Sequence, residues 1–196
     1  MKAKNGTATF NIPKSLYPNL GVDANGQDKF KATLPLVEEY TLGATYKITP
    51  KWLVSADFNY TGWSRYERLT LDFEHAPVGN QPGDLTVLTT PKNFKNTKTF
   101  RLGTQYMFND MIAGRVGAYY DESPYTNEHF IPETPSFNSY VITAGLGFKF
   151  NKLGVDIAGA YAMPQSRQVN NTYYNFIGQA KAKAYYFGLG LSYNAF

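Results

Sequence analysis

Two histidines, His75 and His129, each stand next to a glutamate, Glu74 and Glu128. A base or a metal site could start from such a pair, but it would also need a nucleophile or further ligands converging on it. No serine is placed beside either histidine by the spacing, and the chain has no cysteine, so thiolate metal sites and disulfides are excluded. Both histidines fall in polar, proline-bearing stretches, where a solvated side chain is the plainer reading. The expectation is therefore no catalytic residue, no metal and no cofactor. Two arginines, Arg101 and Arg115, offer different chemistry. Each lies in an alternating stretch, on the side opposite to the large apolar residues. A guanidinium there can grip a ligand carboxylate through two N–H groups, with Tyr119 and Asp121 beside it. Its plainer role is to pair with Asp57, Asp121 or Asp156 on a polar wall. Trp63, Phe94, Phe130, Phe137 and Phe176 fall in or near connecting segments. They could form an apolar capture surface for a hydrophobic ligand, or pack the connections together.

The elements that would hold these residues alternate with a period of two. In the last stretch Tyr185, Phe187, Leu189, Leu191 and Tyr193 take every second position, with Ala184, Tyr186, Gly188, Gly190 and Ser192 between them. One face of such a strand is apolar and the other small or polar. The same pattern recurs over residues 6–12, 30–49, 52–73, 97–108, 111–121, 139–150 and 153–163. That makes eight strands in an up-and-down meander. In the third, the apolar parity slips at Gly62, where a bulge would restore it. Connections alternate between long (13–29, 74–96, 122–138, 164–181) and very short (49–51, 109–110, 151–152). Short turns on one side and long loops on the other mark an outer-membrane barrel.

Composition agrees with this. Of 196 residues, 16% are aromatic and only 17% charged. No run approaches the eighteen or so apolar residues of a membrane helix, but a barrel strand needs only ~9–11 alternating ones. A mean hydropathy of −0.38 is thus no argument against a membrane. The net charge of +4 is scattered along the chain, which speaks against nucleic acid. The first residues lack the apolar core of a signal peptide. A soluble calyx with an apolar lumen would share the alternation. However, its small dry core could not accept Lys47, Asp57, Arg101, Arg115, Lys149 and Asp156 unpaired. The fold class expected is all-β, an antiparallel transmembrane barrel forming one domain over residues 1–196, with Leu42, Phe58, Leu102, Val116, Leu146, Ile157 and Leu189 on the lipid side.

Several segments resemble the FadL/TodX outer-membrane transporters: GRVGAYYDESPY (114–125), YTGWSRYERLTLDF, TPSFNSYVITAGLGFKF and the ending FGLGLSYNAF. The resemblance implies the C-terminal part of a fourteen-stranded barrel whose hatch and first strands lie outside this sequence. It implies a channel, not an enzyme, for hydrophobic molecules such as long-chain fatty acids in the bacterial outer membrane. Partners would be membrane lipid, lipopolysaccharide, the hydrophobic ligand, and the barrel-assembly machinery at the terminal Phe196. Two alternatives come from other classes: a small structural or adhesive eight-stranded barrel of the OmpA kind, and a barrel hydrolase. Closure separates the first from a channel. Glycines 43, 103, 117, 145, 147, 188 and 190 leave the inner face bare, which suits a ring wider than eight strands. The sheet is expected to be open between its first and last strands.

Overall fold

The computed structural model describes residues 2–80, 83–132, 134–172 and 174–194. The chain clusters into two compact units, one of residues 1–38 and 63–95, the other of residues 39–62 and 96–196. Among the described residues no helix is long and apolar enough to cross a membrane; this says nothing of strands.

The larger unit carries an antiparallel sheet of seven strands: β3 (Glu39–Thr49), β4 (Trp52–Thr61), β7 (Thr97–Met107), β8 (Ile112–Asp121), β9 (Ser139–Phe150), β10 (Leu153–Pro164) and β13 (Ala184–Tyr193). Their spatial order is β13-β10-β9-β8-β7-β4-β3, a pure meander. The strands are 10 to 12 residues long, the length that spans a bilayer when tilted. Registers keep the parity of the sequence. One row runs Ala44, Ala56, Leu102, Ala118, Ile142, Tyr161, Tyr185 across all seven strands. The next row toward the long-loop side runs Gly43, Asp57, Arg101, Tyr119, Val141, Ala162, Ala184 on the opposite face. On the apolar face Leu42, Leu102, Val116, Leu146, Ile157 and Leu189 are all exposed, as expected, and Phe58 is half-buried against Phe100. Short turns follow their side chains: Asn109 Oδ1 accepts the backbone N–H groups of Met111 and Ile112, and Asn151 takes a left-handed φ of 53°, which asparagine tolerates.

A hairpin of β11 (Arg167–Asn171) and β12 (Phe176–Ala180) rises from the connection before β13. It packs on the 122–138 connection. Asn171 Nδ2 donates to Phe130 O, Arg167 Nη1 donates to Tyr125 O, and Arg167 lies over the Phe130 ring.

The smaller unit is a four-stranded sheet, β1 (Lys2–Thr9), β2 (Gln27–Leu34), β5 (Arg68–Phe73) and β6 (Val87–Pro91), in the order β1-β2-β5-β6. Phe10, Phe30 and Phe73 cluster in it. Asp28, 5% exposed, fastens it: its carboxylate accepts the backbone N–H groups of Lys29, His75 and Ala76 and touches the His75 ring.

Several expectations are corrected here. The seven-stranded sheet replaces an eight-stranded meander, because the first strand pairs with β2 in a sheet of its own. The stretch 30–49 is two strands, broken at Pro35, which cannot donate to a ladder. The parity slip at Gly62 is a strand end, not a bulge: β4 stops at Thr61, a 3-10 turn covers Trp63–Arg65, and β5 joins the other sheet. β6, β11 and β12 occupy segments read as loops. Among the described residues the seven-stranded sheet is open, as expected: β13 pairs with β10 alone and β3 with β4 alone.

Candidate functional site

The polar face of the seven-stranded sheet carries the charged groups. Arg101 on β7 lies directly across from Asp57 on β4, and its Nη1 donates to Asp57 Oδ1 at 2.7 Å. One strand further along, Arg115 on β8 donates from Nε to Gln105 Oε1 on β7 at 2.7 Å. Its Nη1 reaches the other way, to Asp156 Oδ1 on β10. Between Arg115 and Asp156 lies β9, and the residue under the bond is Gly147. A Cβ there would stand 2.8 Å from Asp156 Oδ1 and 3.0 Å from Arg115 Nη1. The bare glycine thus leaves room for one guanidinium to tie β7, β8 and β10 together above β9 without displacing either side chain. Alternation alone could find the arginines, but only the register shows this passage.

Both arginine side chains remain about half exposed, at 46% each. Each guanidinium has five donors in a planar fork, so these partners do not use all of its N–H groups. Tyr119, half-buried, shares the Arg101 row, and the exposed Asp121 accepts from Thr99 Oγ1 at 2.6 Å rather than from an arginine. Beyond Asp121 the polar face continues as hydrogen bonds: Asn59 Nδ2 donates to Glu39 and to Thr41 Oγ1 at the β3 edge.

The aromatic capture candidates divide. Phe94 (9% exposed) and Phe130 (2%) are buried, Phe94 against Trp63 and Tyr66, Phe130 against Tyr125 and Phe137. They hold connections together. Trp63 and Phe137 are half-buried. Phe176 alone of the five is exposed, joined on the same hairpin by Tyr174 and Ile177, which the periodicity did not single out. The two histidines are placed structurally: His75 on Asp28, and His129 Nδ1 against Thr126 Oγ1. Asp28, Glu74 and His75 offer three possible ligand atoms within 4.8 Å of one another. The Asp28 oxygens, however, are already engaged by three backbone N–H groups, so this group is a fastening of the sheet.

Comparison with known proteins gives the same architecture. The chain is 28% identical over 162 residues to the long-chain fatty acid transport proteins of Salmonella typhi and Escherichia coli (strain K12). The match covers 82% of this chain and 35% and 34% of those proteins; the chain spans about a third of the length of these curated relatives. A solved structure of a Pseudomonas aeruginosa FadL homologue superposes with a TM-score of 0.74 at 23% identity, over 90% of this chain and 39% of that one. The family model described as outer membrane protein transport protein (OMPP1/FadL/TodX) matches residues 1–195. The alternating sheet with its apolar face is the wall of a β-barrel of the bacterial outer membrane, and the chain belongs to the OMPP1/FadL/TodX family of outer membrane transport proteins.

Proposed function

We propose that this chain supplies part of the wall of an uptake channel for hydrophobic molecules such as long-chain fatty acids, and that it performs no enzymatic step. The observation that carries this reading is the polar face. Each of its two arginines is paired with an aspartate, yet about half of each arginine side chain stays exposed, so the wall can still take a carboxylate. The apolar tail would supply most of the affinity, ~0.8 kcal/mol per buried CH₂. In this reading Arg101 and Arg115, with Tyr119 and Asp121 beside them, steady the headgroup. Trp63, Phe94, Phe130 and Phe137 shape the outer connections, and Phe176 offers first contact. The single-domain barrel completed by upstream strands, the lipopolysaccharide contact and the docking of the terminal Phe196 on the assembly machinery belong to the same proposal. Phe196 lies outside the described residues. The small closed barrel is not favoured, because the relatives and solved structures that the chain resembles are transport proteins of the larger FadL/TodX kind.

The test is binding by the full-length protein of a long-chain fatty acid and of the matching fatty alcohol. Replacing both Arg101 and Arg115 with alanine should weaken the acid about tenfold, ~1.4 kcal/mol, and leave the alcohol unchanged. Equal loss for both would show that the arginines only hold the wall. No binding of either would remove the channel reading.

A further inference from the structure

The apolar face is not uniform. One row across it reads Val54, Thr104, Val116, Ala144, Gly159, Phe187. Two small residues, Ala144 and Gly159, therefore sit between large neighbours. A trough of about 910 Å³ opens there, floored by Thr104, Ala144 and Gly159 and bordered by Trp52, Tyr106 and Phe187. Its wall at the short-turn end is fixed: Trp52 Nε1 donates to Thr104 Oγ1 at 2.7 Å, and Thr104 Oγ1 donates on to Leu53 O at 2.8 Å. The indole N–H is thereby satisfied inside the protein, leaving its ring as an apolar border. Phe187 on the far side, on the edge strand β13, is 90% exposed. Lys51 immediately precedes Trp52, in the exposed turn between β3 and β4. Lys152 stands in the turn between β9 and β10 at the same end.

An apolar trough with aromatic sides on the lipid face, with the exposed Lys51 next in sequence to its border residue Trp52, fits one amphiphile: a chain and an anionic head. The short-turn end of an outer-membrane barrel faces the periplasm, whose leaflet is the inner one. We propose that this trough is a binding site for one glycerophospholipid of the inner leaflet, its acyl chain over Ala144 and Gly159 and its phosphate diester at Lys51. The lipid is a bound component of the wall, distinct from the transported molecule on the opposite face.

Gly159 is the residue to change, because there is room for a side chain. A Cβ there meets only Tyr186 O at 3.7 Å and Phe187 Cδ1 at 4.0 Å, ordinary contacts. The full-length protein is extracted from outer membranes in mild detergent and its retained lipids are counted by native mass spectrometry. Folding is followed in parallel by the heat-dependent gel shift of the barrel. The wild type should keep one glycerophospholipid per chain. Gly159→Leu, which fills the floor, and Lys51→Glu, which repels the phosphate, should each lower that retention at least fivefold with the gel shift intact. Ala144→Leu fills the same floor from the neighbouring strand and replaces Gly159→Leu if that variant does not fold. Wild-type retention in either the filled or the charge-reversed protein overturns the proposal. So does lipopolysaccharide retained in place of phospholipid, or a broad ladder of adducts unaffected by any variant, as a mere lipid annulus would give.

Discussion

Gly147 is where a missing side chain determines an interaction. Its Cα lets the Arg115–Asp156 bond pass over β9, so Gly147→Ala should displace, and Asp156→Ala remove, the same contact. Each is expected to cost ~1 kcal/mol or less, since both partners are about half exposed. The double variant should cost little more than one alone, because the two changes share one bond. Chemical unfolding of the four proteins measures this; simple additivity would show that the bond does not span β9. Asp28 is the opposite case, a charge held by its surroundings. Burial pushes its carboxyl up, but the N–H groups of Ala76, His75 and Lys29 and the His75 ring outweigh that and hold it below its ordinary value of 3.8. A folded-state value below the unfolded one means that the stabilisation is present above the unfolded value and is lost as pH falls through the folded one. Proteolysis of the unit formed by residues 1–38 and 63–95 should therefore stay slow at neutral and mildly acid pH. It should quicken only below about pH 4. Asp28→Ala should make it fast throughout, with a loss of ~1–3 kcal/mol from orphaned buried donors.

At the scale of strands and hairpins, facing is the property most open to test. Leu146 lies in mid-strand on the apolar face, and lysine there should cost ~2–4 kcal/mol near the bilayer midplane. Thr143, on the opposite face, should accept lysine with little loss. Folding yields into lipid vesicles compare the two; the reverse ranking would mean that the faces are exchanged. The hairpin β11–β12 depends on Phe130, 2% exposed under Arg167. Phe130→Ala should cost the local packing ~3–5 kcal/mol and speed hydrogen exchange across residues 167–180 while β8 and β9 stay protected. This is also where reading the sequence reached its limit. For β7, β8, β9, β10 and β13, strand positions and faces were legible, because strict alternation over ten residues has one structural solution. The break at Thr61 was visible only as a parity slip, which a bulge and a strand end produce alike. β6, β11 and β12 are five residues each and too short to show a period. Burial of Phe94 and Phe130 depended on partners far along the chain. Of the arginines, the sequence indicated the face and the possible acids, but not that a glycine on the strand between would let one of them cross.

Over the whole sheet, every spanning strand pairs with the spanning strand before or after it in the chain, and the two ends, β3 and β13, each leave one side open. Unpaired backbone groups in hydrocarbon cost several kcal/mol each. In the chain taken alone, amides on the open sides of β3 and β13 should exchange quickly while those of β8 and β9 remain protected; slow exchange at both ends would mean that the edges find each other. The neighbour-to-neighbour order also bears on how such a wall is made. Loop closure between successive strands is entropically cheap compared with joining distant segments. The sheet can therefore zip outward one hairpin at a time from a nucleus such as β9–β10, whose turn is only two residues. An arrested product of that zipping already has its final register, so a stalled chain would wait with a correct template strand at its edge and would not first need to unravel.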